Sequence, residues 1–452
     1  MTRPSFSQCV LAASLFGSAA AVGCSETPSD PADHGEADVS AAETTRFDTI
    51  DAAMLFPLDA AHMVQLGDNA VTGGKVTLLS KAQFGQASRL TEHAEEVAAA
   101  APPYESWRIV AFRFDPCATS TPSATDCKTT LRLVAQPVSK TGADDDALHL
   151  IYTLPAGEDV AIATELAAAK ASCQKTLKKG TNGTPLGIHP CLALPEAKRK
   201  DFRAQIHAII LKHAAEDKLA AVSAMFTLGA QDNWFFGASI VRGGKLIQVP
   251  VPALVDPKSG DPAHPEAIHQ TFSDSSPVFN PTAPRNGSMA PLPANPASDQ
   301  LGVIINERNV RVSLSSKPPS LDAIKAGVRA SLRIENPKLH DVLSPNDSVS
   351  CVDCHMTGRA RSNVAKNLPA GMTMDAFDLK TDAFVAPAQT TTAVPTVCGP
   401  TPKPGEACLL PEDVNYVVKA FAYHGSQITV IPRVANEAAL VADFINRKLL
   451  PK

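Results

Sequence analysis

Two hydrophobic periods alternate along the first half of the chain. Residues 107–114, 130–138 and 148–154 are dense in Val, Ile, Leu and aromatic side chains, the composition of pleated strands. Residues 235–251 continue the set, interrupted at Gly243-Gly244 by a pair suited to a hairpin turn. Over 198–214 the spacing changes: Phe202, Ile206, Ile209 and Ile210 recur at three- and four-residue steps, striping one face of a helix for burial. Such helical periods between strand-like runs predict an α+β domain over 46–255.

Beyond it the pattern breaks. Pro277, Pro281, Pro284, Pro291, Pro293 and Pro296 crowd one stretch, so 256–300 is expected to be a linker or a long wrapping loop. Ser320 then caps a predicted helix whose Leu321, Ile324, Val328 and Leu332 share a face, and a last helix is predicted over 436–450. These elements make 301–452 a second, mainly helical region. No repeat of fixed period occurs, so the pattern does not support a solenoid or propeller.

Composition adds bounds. Apolar residues at 44% and charged residues at 19% are close to globular averages, so the chain can bury a core. At ~150 residues per domain, 452 residues imply two or three domains. A net charge of −5 gives no electrostatic footprint for nucleic acid.

The N-terminus carries an address. After Arg3, residues 9–23 are apolar or small and uncharged, which has the polarity of a secretory signal and falls short of the ~20 apolar residues of a membrane span. The signal, 1–23, ends in Ala21-Val22-Gly23-Cys24. This resembles the lipobox of bacterial lipoproteins, with Ala21 where that family usually has Leu. The resemblance implies that Cys24 becomes an acylated mature N-terminus anchored to the envelope membrane, triacylation supplying the hold that one chain lacks. Residues 24–45 follow with six acids and no Lys or Arg, and are expected to be a disordered acidic tether.

The chemistry lies further along. Cys351-Val352-Asp353-Cys354-His355 is a C-x-x-C-H sequence. On one helical turn, positions i, i+3 and i+4 share a side, so two thiols can bond two vinyl groups while the imidazole reaches the iron. The motif resembles the haem-attachment site of c-type cytochromes. That resemblance covers the motif and its surroundings, and implies one covalent haem c held by Cys351 and Cys354, with His355 as the proximal metal ligand. A thiol-disulfide pair would want a strand leading into a helix, whereas Ser344-Pro345-Asn346-Asp347 is a turn. Half a zinc site would want a second pair, and none has suitable spacing. Were the two thiols bonded to each other, the chain would be a non-haem binding lipoprotein.

The other cysteines bear on this. Of ten, Cys9 lies in the signal, Cys24 takes lipid, and Cys351 and Cys354 take haem. Six remain in three close pairs: Cys117 with Cys127, Cys173 with Cys191, and Cys398 with Cys408. Neighbour pairing is preferred among the possible connectivities, and each short loop closed in an oxidising compartment contributes roughly 2–4 kcal/mol.

The sixth iron position decides function. Met372 and Met374, in a turn-like stretch, and His424 and His340 are the candidate ligands, whereas Met356 adjoins the proximal ligand and cannot reach across. A filled position predicts single-electron transfer with a redox partner protein at the periplasmic cell envelope. A vacant one predicts a haem enzyme or sensor, peroxidase-like in chemistry. The chain has no second C-x-x-C-H, so it carries one electron at a time. It also lacks G-x-S-x-G, P-loop, G-x-G-x-x-G and H-E-x-x-H sequences. His207 and His213 are six apart on their helix, and Asp144-Asp145-Asp146 is expected to be a solvated loop.

Overall fold

The computed structural model describes residues 46–91, 94–116, 129–177, 181, 184–228, 233–249, 269–272 and 421–450. Its centre is an eight-stranded antiparallel sheet. In chain order the described elements begin with α1 (Thr49–Ala52), β1 (Ala53–Leu55), a small hairpin of β2 (Asn69–Val71) and β3 (Gly74–Val76), α2 (Lys81–Ala87) and α3 (Ala94–Ala100). Then come β4 (Trp107–Asp115), β5 (Thr130–Pro137), β6 (Ala147–Thr153), α4 (Glu158–Leu177), α5 (Glu196–His213), β7 (Leu219–Leu228), β8 (Asn233–Arg242), β9 (Lys245–Val249) and β10 (His269–Phe272). The chain ends with β11 (Phe421–His424), β12 (Gln427–Val430) and α6 (Pro432–Phe444), whose last turn relaxes to a π-helix over Ile445–Leu449.

β4 to β8 lie side by side in chain order, with β1 outside β4 and both β9 and β10 along the far side of β8. The expected α+β class is therefore what forms. Nearly every residue of β4 and β5 is buried, so these strands are covered on both faces and read as continuous apolar runs. α1 and α6 pack on β4, while α2 and α3 pack on β7. Trp107 is fully buried, edge-on to Phe84 of α2 at 5.4 Å and to Phe226 of β7 at 5.8 Å between ring centroids. The predicted stripe on α5 is buried throughout: Phe202, Ile206, Ile209 and Ile210 all join the core. Ser80 caps α2 through a reciprocal bond pair with Gln83, and Asp48 caps α1 in the same way with Asp51.

Two expectations change. One strand, β10, falls inside 256–300, in the proline-free interval between Pro265 and Pro277, where an extended segment can pair with β8. The last thirty described residues, grouped by sequence with 301–452, pack into the first body instead. Tyr423 is buried and donates its hydroxyl to the Phe56 carbonyl at 2.7 Å. The Gln136 side chain clasps the Tyr423 backbone, accepting from its N–H and donating to its C=O, both at 2.9 Å. Asn446 does the same to Phe47 at 2.7 and 2.8 Å. About 150 residues, carrying the C-x-x-C-H motif, separate Phe272 from Phe421 in sequence and lie outside the described residues. No described helix is long and apolar enough to cross a membrane.

Candidate functional site

Most residues singled out by sequence lie outside the described residues: Cys24, Cys117, Cys127, His340, Cys351, Cys354, His355, Met372, Met374, Cys398 and Cys408. Cys173, Cys191 and His424 are described.

Cys173 on α4 and Cys191 just before α5 form a disulfide, with Cα atoms 6.0 Å apart and 18 residues of separation. The loop it closes carries Thr181 and His189 onto a buried carboxylate. Asp51 accepts hydrogen bonds from Lys170 Nζ at 2.6 Å, Thr181 Oγ1 at 3.0 Å and His189 Nε2 at 3.1 Å. The Cys191 amide donates to His189 Nδ1 at 3.1 Å, so Nε2 must carry the ring proton directed at Asp51. Lys170 also donates to the Arg46 carbonyl. Burial alone pushes the Asp51 carboxyl up, but the hydrogen bond from His189 and the charge of Lys170 outweigh it and hold it below the usual carboxylate range. Every heteroatom here has a partner and none faces solvent. The cluster fixes α1, α4 and the 181–191 loop to one another, and offers no open position for a ligand.

His213, at the end of α5, is buried between Glu158 (2.8 Å to Nδ1) and Glu165 (3.0 Å to Nε2) of α4. Burial alone raises both carboxyls; hydrogen bonds from His213, from Lys218 to Glu158 and from Lys212 to Glu165 bring both below their usual values. This too is a closed cluster that ties two helices together.

One cleft is open. Phe56, Met63 and Leu192 floor it, and His62, Arg199, Arg203 and His207 surround it. Asp59, His62 and Glu196 bring ligand atoms within 4.8 Å of one another at its edge. The donor set does not suit a cation. Arg203 forks onto Glu196 at 2.6 and 2.7 Å, and Arg199 reaches Glu196 at 2.7 Å and Asp59 at 3.2 Å. Those hydrogen bonds, from Arg203 first and then Arg199, pull the Glu196 carboxyl down to about 2, so two guanidinium groups already occupy the place of a metal. His207, stacked edge-on to Phe56, has its pKa lowered to about 4, by burial first and then by the nearby Arg203 and His62.

His424 differs from the closed clusters. It ends β11, where Gly425 turns the chain with φ 58°, and its Nδ1 lies 3.0 Å from Asp145 Oδ1. Asp145 belongs to the acidic triplet expected to be a solvated loop; the structure engages it with His424, and engages Asp146 with the Thr227 backbone and hydroxyl at 2.6 and 2.9 Å. His424 keeps a third of its side chain exposed, and Nε2 has no hydrogen-bond partner among the described residues. An imidazole tethered at one nitrogen and free at the other is chemically suited to ligate a metal centre. The Asp145 partnership was not visible in sequence, since 279 residues separate the two.

No protein-family model, curated protein or solved structure matches the chain.

Proposed function

We propose that the chain is an exported, lipid-anchored, monohaem c-type protein that passes single electrons between redox partner proteins at the cell envelope. The observation that carries this reading is Cys351-Val352-Asp353-Cys354-His355 behind an export signal ending at Cys24. The Cys173–Cys191 disulfide supports export, since such bonds persist in oxidising compartments. On this reading the haem-bearing unit, mainly helical and cytochrome c-like, is inserted between β10 and β11 of the α+β body. Cys351 and Cys354 hold the haem through thioether bonds and His355 holds its iron. When bound, the group supplies a centre that takes up one electron as Fe(III) becomes Fe(II) and returns it to an acceptor. The chain's own part is to set the iron's ligands, its burial and the surface that partners approach.

The test is a visible spectrum and an intact mass of the protein matured in a host with c-type haem ligation. A Soret band with narrow ferrous α and β bands, and a mass increased by one haem, are expected. Broad high-spin bands would move the reading to a haem enzyme or sensor. A chain with no Soret band, and a mass of polypeptide plus lipid alone, would refute it.

A further inference from the structure

We infer that the cleft between α5 and the 56–63 segment binds the carboxylate of a short-chain aliphatic acid, held by Arg199, Arg203 and His207. Binding there does not require a haem.

Three features support such a site. First, the charged groups are layered. Glu196 and Asp59 keep 44% and 34% of their side chains exposed, whereas Arg199 and Arg203 keep 20% and 16%. The carboxylates therefore stand at the rim and the guanidinium groups lie deeper, fixed in place by the same ion pairs that exclude a metal. Second, donors are left over. Arg203 gives Nη1 and Nη2 to Glu196, and Arg199 gives Nε to Glu196 and Nη2 to Asp59. Arg203 Nε, Arg199 Nη1 and the ring nitrogens of His207 have no hydrogen-bond partner among the described residues, and none of them is sealed from solvent. With a pKa lowered to about 4, the His207 ring is uncharged at neutral pH and offers one N–H. The charges that act on this ring are those of Arg203 and His62, without an offsetting carboxylate, so the inner wall favours an anion. Third, Phe56, Met63 and Leu192 give the cleft an apolar floor, and the space above it is smaller than a drug-sized ligand pocket. An alkyl chain of a few carbons can rest on that floor while its carboxylate meets the guanidinium edges. A phosphate would gain nothing from the floor.

The experiment uses the full chain, with butyrate as the probe and calorimetry and NMR of the His207 ring as readouts. Wild type is expected to bind butyrate with a dissociation constant on the order of 1 mM. The neutral isostere butyramide should bind at least about tenfold more weakly, the loss expected for a charge-assisted hydrogen bond. Bound butyrate places a negative charge beside His207, so the midpoint of the ring is expected to rise above about 4. Arg203→Gln and His207→Phe should each weaken butyrate about tenfold. Lys200→Ala, which removes a charge from an exposed position of the same helix, should bind as wild type does. No saturable butyrate binding, equal affinity for butyrate and butyramide, or displacement of butyrate by an equal concentration of inorganic phosphate overturns the inference. So does an unchanged affinity in Arg203→Gln or in His207→Phe. If neither variant folds, the His207 midpoint in wild type decides, and a value unmoved by butyrate rejects the site.

Discussion

Glu437 on α6 sets its carboxylate against the guanidinium of Arg113 on β4, and both side chains are more than nine-tenths buried although 324 residues separate them. Arg113 also donates to Asp115 at 2.9 Å, and Arg132 reaches the same carboxylate at 3.1 Å. Burial works against the Arg113 charge, yet Glu437 and Asp115 outweigh it and raise its pKa further. A buried network of this kind is a poor source of net stability but is costly to break from one side. Glu437→Ala leaves the buried guanidinium with Asp115 as its remaining carboxylate and should lower stability by about 3 kcal/mol, read from the urea midpoint. The double variant Arg113→Met/Glu437→Leu should recover most of that loss. A Glu437→Ala midpoint equal to wild type would show that the pair is not made.

The same long-range closure predicts what truncation does. Removing residues 421–452 takes Tyr423, Ile428, Ala438 and Val441 out of the core, and takes Tyr423 from Gln136 and Glu437 from Arg113. The shortened chain should be cleaved rapidly by trypsin throughout 46–249 and show no cooperative thermal transition. A folded, protease-resistant core in that variant would mean that the body is complete without its C-terminus.

The buried Asp51 cluster contributes to the acid limb of stability. Its folded pKa lies below the ordinary carboxylate value of about 3.9, so the unfolded chain binds the proton first as pH falls. The stability this group contributes is present above about pH 4 and drains away as pH drops through the folded value. Asp51→Asn, which leaves Lys170 buried without its charge partner, should cost about 3 kcal/mol or more at pH 7. The gap between variant and wild type should narrow by pH 3; a gap constant with pH refutes the assignment. Cys173→Ala, which opens the loop carrying Thr181 and His189, should lower stability by about 2–4 kcal/mol.

His207 gives a separate pH signature, of the same sign as that of Asp51 but at higher pH. Folded, it titrates at about 4, whereas an unfolded histidine takes up its proton near pH 6.5, so stability must fall as pH drops from about 6.5 toward about 4. His207→Phe should flatten that interval and leave in place the limb below pH 4, to which Asp51 contributes. NMR titration of the His207 ring checks the cause directly, and a midpoint near 6.5 would remove it.

The sheet was largely legible because its strands are apolar runs bounded by turn residues: β4, β5, β6 and the β8–β9 hairpin form within one or two residues of the expected positions. α5 declared itself through a clean stripe. β7 did not, because Leu-Ala-Ala-Val-Ser-Ala is rich in small side chains whose period is weak, and only its neighbours β6 and β8 settle it as a strand. The β11–β12 hairpin had a usable signal in the Gly425-Ser426 turn, but no local pattern could say that it docks 279 residues upstream. The Asp51 and His213 clusters were hidden for the same reason: their partners are dispersed in sequence and become neighbours only when α4 meets α5 and α1. The Cys173–Cys191 loop was readable because it is short.

Gly142 is where the hairpin docking is most sharply tested. The residue has φ 145°, outside the usual range for L side chains, and a Cβ built there would fall 2.6 Å from the Gly425 carbonyl carbon and 2.7 Å from its oxygen. Both contacts are backbone, so no side-chain rotation relieves them, and the Gly425 oxygen is the acceptor of the Ala143 amide. Gly142→Ala must therefore push the turn away and lengthen that bond, at a cost of about 1–3 kcal/mol. The loss should be local. Amide exchange is expected to quicken in β11 and β12 while β5 and β6 stay protected, because the displaced hairpin strains Gln136 and Asp145 at their tips and not along the sheet. Gly73→Ala, whose site has φ 91° and open space around it, isolates the dihedral cost from the contact cost and should affect only its own turn. Equal protection of β11 and β12 in Gly142→Ala and wild type would show that the hairpin is not seated on the 139–146 loop.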